Sequence, residues 1–208
     1  MLRRYAGGKF IPNFAELTRM YHTLGYPVPP VIPRKPMMPI ITGWRRVGGK
    51  PNDWCDWISI AYVVSSAIPR QYSWRFESFK ATTNPGIPYL LSPINPKGTA
   101  ILKPGYYQDA WKLGWFRGEE ALRQVRPVTV LRDSNKDAVL DPDTTDTGLF
   151  GIHIHRAKGV PLFVNKWSAG CQVIQSETDY NDFMFICKMA SQEFNDAPFS
   201  YGLVEFDL

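Results

Sequence analysis

Two of the three histidines lie two residues apart in Gly151-Ile152-His153-Ile154-His155, and a cysteine follows sixteen residues after the second, in Trp167-Ser168-Ala169-Gly170-Cys171-Gln172-Val173. Residues two apart on a strand point to one face, so both imidazoles are expected on the same side. A nucleophilic thiol needs a base to form its thiolate, and donors aimed at the developing oxyanion. A cysteine on a small, Gly-containing turn supplies exposure and free backbone N–H groups. A strand histidine supplies the base. Cys187 falls on the apolar face of a helical pattern and reads as core.

Other chemistries are open to the same residues. His-x-His is a metal-ligand spacing, and Cys171 could complete a zinc set, although the third histidine, His22, lies far upstream. A papain-like order would place Cys55 first and a strand histidine later, but Asp53 and Asp56 flank Cys55 and their charge disfavours a thiolate. Asp133-Ser134-Asn135-Lys136-Asp137, followed by Asp141 and Asp143, has oxygens spaced as in a calcium loop. Ala138 and Thr144 stand where an EF-hand has Gly and Glu, so a polar surface loop competes with that reading. No resident metal or cofactor is expected.

The elements that must position these residues are mixed. The chain has 208 residues, 44% hydrophobic, 14% aromatic and 21% charged, which excludes a disordered protein. Eighteen prolines argue against a helical bundle. The net charge of +5 comes without a basic stripe: no basic run exceeds a pair, as at Arg3-Arg4 and Arg45-Arg46, which read as solvated surface. Nucleic acid is therefore not an expected partner. The start lacks the apolar core of a signal peptide and no apolar run is long enough to span a bilayer, so a soluble protein without an export signal is expected.

A helix is predicted over 14–24, capped by Asn13 and ended by Gly25. Six prolines between Pro27 and Pro39 then form an extended strap, with a domain boundary near residue 45. Strands are predicted at 57–64, 73–80, 127–131, 149–155 and 199–206, and a short helix at 119–125. A long amphipathic helix is predicted over 178–194, burying Tyr180, Phe183, Cys187, Ala190 and Phe194.

Gly151-Ile152-His153 followed by Ser168-Ala169-Gly170-Cys171 resembles the catalytic signature of the L,D-transpeptidases (YkuD type), an Ile-His-Gly-type strand and a downstream Ser/Thr-His-Gly-Cys turn. Residues 81–175 also resemble phage and bacterial proteins related to wall-lytic enzymes, through Ala81-Thr82-Thr83-Asn84-Pro85-Gly86, Pro104-Gly105-Tyr106-Tyr107 and the Ser-Ala-Gly-Cys-Gln-Val block. The likeness covers roughly residues 52–206. Ala169 and Val173 depart from the motif's second His and its Arg/Asn.

The resemblance implies an α+β, β-rich L,D-transpeptidase-like domain over 46–208, with residues 1–45 as an added helix and proline-rich arm. It implies Cys171 as nucleophile, His153 as base, and His155 as alternative base or orienter. Ser168 and the N–H groups of Gly170 and Cys171 would shape an oxyanion site. Gln172 and Trp167 would meet substrate. The implied activity is a cysteine peptidase or transpeptidase on peptidoglycan stem peptides, in a phage lytic or virion-associated protein. The rival is a non-catalytic virion protein that binds wall or docks on other virion proteins through residues 1–45.

Overall fold

Hydrophobic patterning in this chain serves two main cores, on opposite sides of a set of strands, and a small third cluster of Trp54, Ala157, Val164 and Val173. The structure, a computed structural model, describes residues 10–68 and 70–207; Arg3-Arg4 and the rest of the N-terminal start lie outside them. Helix α1 (Phe14–Leu24) leads into strands β1 (Ile40–Arg46), β2 (Asp56–Ser65) and β3 (Tyr72–Thr82), then a short helix α2 (Ile87–Leu91). There follow β4 (Thr99–Leu102), β5 (Gly105–Phe116), β6 (Glu119–Gln124), β7 (Val128–Asp133), β8 (Thr144–Gly148) and β9 (Ile154–Arg156). A 3-10 turn (Asn165–Trp167), β10 (Gln172–Ile174), α3 (Glu177–Glu193) and β11 (Phe199–Phe206) complete the order. The fold is mixed α+β and rich in strand, with no described helix long and apolar enough to cross a membrane.

Eight strands close into a barrel in the order β1-β11-β5-β6-β9-β10-β3-β2, and β4-β7-β8 form a separate small sheet. The β1–β11 and β9–β10 pairs are parallel, and the other pairs are antiparallel. Inward side chains such as Ile58, Ile60, Trp111, Leu122 and Leu203 pack with the Tyr180–Ala190 face of α3 and with Leu102 and Val130 of the small sheet. Alternate residues of the same strands, Trp44, Ala61, Val204 and Phe206, meet Leu17, Met20 and Tyr21 of α1 on the outside. Cover on both faces leaves β1 and β11 buried along nearly their whole length. Gly202 is required here, because a Cβ would collide with the Tyr21 hydroxyl, itself bonded to Thr42 Oγ1 at 2.7 Å.

The structure keeps the proline strap and departs from three other expectations. The boundary near residue 45 falls inside β1, which pairs with β11 on one side and β2 on the other. The proline strap lies on the domain, where the Pro30 carbonyl accepts from Trp74 Nε1 at 2.8 Å. Residues 119–124 are strand, not helix: Arg117 and Gly118, at φ 51° and 81°, make a two-residue turn that pairs Phe116 with Glu119. Arg45 is buried rather than solvated, donating to the Thr83 hydroxyl and to the Thr83 and Leu102 carbonyls.

Candidate functional site

The Ser-Ala-Gly-Cys turn bridges the 3-10 turn and β10. Ser168 is fully buried. Its hydroxyl accepts from the Gly170 N–H at 3.1 Å and donates to the Cys171 carbonyl at 2.8 Å, stapling the turn. Gly170 adopts φ 122° and lies against the Ala100 carbonyl, where a Cβ has no room. Ser168 and the Gly170 N–H are therefore engaged within the turn, not free for an oxyanion as expected. The Cys171 N–H, by contrast, makes no hydrogen bond among the described residues. Gln172 also departs from expectation: it is fully buried, with Nε2 donating to the Gly170 carbonyl at 3.2 Å and Oε1 accepting from the Tyr201 hydroxyl at 3.0 Å. It supports the turn from the core and does not reach the cleft.

Cys171 is half-buried and lines a cleft of about 340 Å³ together with His155, Phe116 and Trp167. Its thiol donates to the Gly151 carbonyl at 3.4 Å. Burial pushes the thiol up to about 11, while the backbone N–H of His153 and the Arg117 charge pull it down. The thiol is thus protonated at neutral pH, and its reaction requires proton removal by a base.

The two histidines share a neighbour: Phe116 packs against both rings, at 4.7 Å from His153 and 5.2 Å from His155, although His153 lies just outside the strand that holds His155. Their hydrogen bonds separate them. His153 Nδ1 lies 3.2 Å from the Gln124 backbone N–H, which can only donate. Nδ1 must therefore hold a lone pair, and the neutral ring carries its proton on Nε2. His155 Nδ1 lies 2.9 Å from the Arg156 carbonyl, which can only accept. Nδ1 is therefore the protonated nitrogen, and Nε2 holds the lone pair that a base needs. Burial lowers both imidazoles, His153 to about 4, so both are neutral at pH 7. His155 lines the cleft together with Cys171, whereas His153 is buried and in the opposite tautomer.

Gln124 organises this arrangement and carries no sequence signal. Its amide donates to the Arg126 and Gly148 carbonyls, and its Oε1 accepts from the Phe150 and Ile152 N–H groups. The approach to Cys171 is thereby pinned as irregular backbone, which confines strand to 154–156 rather than 149–155. Arg117 and Arg132 also line the cleft and were not singled out by sequence.

Among the described residues no three His, Cys, Asp or Glu side chains are placed to share a metal ion. His153, His155 and Cys171 do not form a ligand set, and in the 133–143 loop Asn135 instead donates to Asp137 and Asp141. Cys55 donates to Asp56 Oδ1 at 3.6 Å, burial with the Asp56 and Asp53 charges pushes it up to about 12, and no histidine lines its pocket among the described residues. No family model matches the chain, and no curated protein or solved structure does so.

Proposed function

We propose that this chain is a cysteine acyl-transfer enzyme, with an L,D-transpeptidase-like catalytic domain, that acts on peptidoglycan stem peptides in a phage lytic or virion-associated setting. The observation that carries the reading is one cleft holding both a cysteine on a glycine turn and a histidine whose Nδ1–H is fixed on a backbone carbonyl. Cys171 leaves the Gly151 carbonyl by rotation about χ1 and attacks a peptide carbonyl. His155 Nε2 takes the thiol proton as the S–C bond forms. The Cys171 N–H, unoccupied among the described residues, is the donor nearest the developing oxyanion. The imidazolium returns the proton to the leaving amine as the C–N bond breaks, giving a thioacyl enzyme. Water then yields the acid, or an amine yields a new amide, and the thiol is restored.

A second reading, a non-catalytic wall-binding or virion structural protein with the same fold, is favoured by one observation. The resting thiol bonds to a carbonyl rather than to an imidazole. Apo sites often show such loose geometry, so the acyl-transfer reading stands ahead. Incubation with cross-linked peptidoglycan, followed by mass analysis of the muropeptides, distinguishes them. Altered peptide stems with intact glycan, lost in Cys171→Ala, support acyl transfer; stems unchanged by wild-type protein across several walls leave the structural role.

A further inference from the structure

The loop between β9 and the 3-10 turn holds a run of apolar side chains in solvent. Val160, Leu162 and Phe163 are 67%, 85% and 53% exposed, and Leu162 is the most exposed large hydrophobic side chain among the described residues. The loop is fastened at both ends. Ala157 and Val164 are fully buried in the small cluster with Trp54 and Val173. The Ala157 N–H donates to the Ile174 carbonyl at 3.0 Å, and the Val164 N–H to the Asn52 carbonyl at 2.9 Å. Between them the Pro161 carbonyl accepts from Gln175 Nε2 at 2.8 Å. A loose loop would fold its apolar side chains back onto the barrel; this one is pinned with them outward, an arrangement that water penalises and that marks a contact surface.

Cations surround the tip. Lys158 and Lys166 flank it, and residues 157–168 contain no Asp or Glu. Leu162 also lines a second pocket, of about 350 Å³, with Arg46 and Lys80, which make no ion pair among the described residues. Two acids stand near, Asp53 in that pocket and Glu119, 3.6 Å from Lys158 across an exposed pair that contributes little. The positive excess matches the net charge of +5 over the whole chain.

We propose that this loop is an interfacial anchor for an anionic lipid surface: Val160, Leu162 and Phe163 enter the boundary between headgroups and acyl chains, and Lys158, Lys166, Lys80 and Arg46 meet the headgroup phosphates. A second copy of this chain fits the tip less well, because it would bring the same positive charge to the contact. Three side chains are also a small footing for a specific protein interface, which buries on the order of 1,000 Å² or more. Lys166, at the foot of the loop, lines the Cys171 cleft, so a docked loop would hold that cleft next to the bilayer. Lipid binding of this kind does not depend on the acyl-transfer reading.

The test is co-sedimentation of the full chain with vesicles of phosphatidylcholine, with and without phosphatidylglycerol. Binding to the anionic vesicles is expected to be about 10-fold tighter or more, and to weaken as salt is added. Leu162→Ser should weaken it by about 10-fold, and the double variant with Phe163→Ser further, with urea unfolding unchanged because both side chains are already in water. Lys158→Gln with Lys166→Gln should reduce the preference for anionic vesicles. Met189→Ser, which alters an equally exposed side chain on α3, should leave binding unchanged. No binding to anionic vesicles, equal binding to both kinds, or binding indifferent to Leu162→Ser would each overturn the proposal. So would self-association in sedimentation velocity that is lost in Leu162→Ser, since that assigns the tip to a second copy. A protein that binds anionic vesicles through Leu162 but is inert on peptidoglycan would remove the acyl-transfer reading alone.

Discussion

Acid should destabilise this protein through His153, by an amount that the structure sets. The ring is buried against Phe116 and accepts a backbone N–H at Nδ1, so protonation must both charge a desolvated group and break that bond. Its folded value is lowered to about 4, while the unfolded chain titrates near 6.5. Between these values the unfolded state binds a proton that the native state refuses. Stability therefore falls as pH falls through that window, and is unaffected by this group above it. At about 1.36 kcal/mol per pH unit over a gap of about 2.5 units, the loss approaches about 3 kcal/mol. That is a large share of a typical domain's 5–15 kcal/mol (roughly) and is easily measured. Urea unfolding at intervals from pH 7.5 to 4 should show it in wild type. His153→Gln, which keeps an acceptor but cannot titrate, should be less stable at pH 7 yet lose less on acidification. Other groups, including His155, titrate alike in both proteins and cancel in the difference. Parallel pH profiles for the two proteins would refute the assignment of His153 as a buried neutral imidazole.

Three further outcomes follow from the same geometry. His155→Gln should lower turnover of stem peptides by about 10²–10⁴-fold and His153→Gln by much less once stability is allowed for, a split read from steady-state kinetics; the reverse order would return the base to His153. An alkylating reagent should modify Cys171 before Cys55 and Cys55 before Cys187, with thiolate fractions at pH 7 of about 10⁻⁴ and 10⁻⁵ for the first two, and peptide mapping of the adducts checks the order. Leu17→Ala should cost about 2–5 kcal/mol in urea unfolding, because Leu17 is fully buried between α1 and the barrel, whereas a detachable arm would leave stability unchanged.

Local signals were legible where they were chemically strong. Asn13 accepts from the Glu16 N–H at 3.0 Å and Gly25 turns left-handed at φ 69°, so α1 begins and ends where its caps stand. The apolar period of α3 likewise marked Tyr180, Phe183, Cys187 and Ala190 as buried. Glu119-Glu120-Ala121-Leu122-Arg123-Gln124 has the composition of a helix, but the Arg117-Gly118 turn returns the chain along β5 and pairing overrides propensity. The role of β1 was hidden for a different reason: one of its two partners in the barrel, β11, comes from the far end of the chain, Tyr201 to Phe206.

At the site, residue types and spacing pointed to Cys171 and to a histidine pair on one side. They could not separate His153 from His155, because that depends on which backbone group meets each Nδ1, and the partner of His153 lies 29 residues away at Gln124. Nor could they show that Ser168 and Gln172 hold the turn from behind. Both are polar residues beside a cysteine in sequence, and only the packing of Gly170 against Ala100 and of Tyr201 against Gln172 turns them inward.

The most direct test of the account is to trap the acyl enzyme. Wild-type protein mixed with a peptidoglycan stem tetrapeptide and quenched in acid should gain the mass of the acyl portion. Peptide mapping should place that mass on Cys171 and on neither Cys55 nor Cys187. His155→Gln should accumulate it far more slowly. A stem peptide that is cleaved or exchanged with no adduct on Cys171, or by Cys171→Ala as fast as by wild type, would contradict a thioacyl mechanism at this cleft.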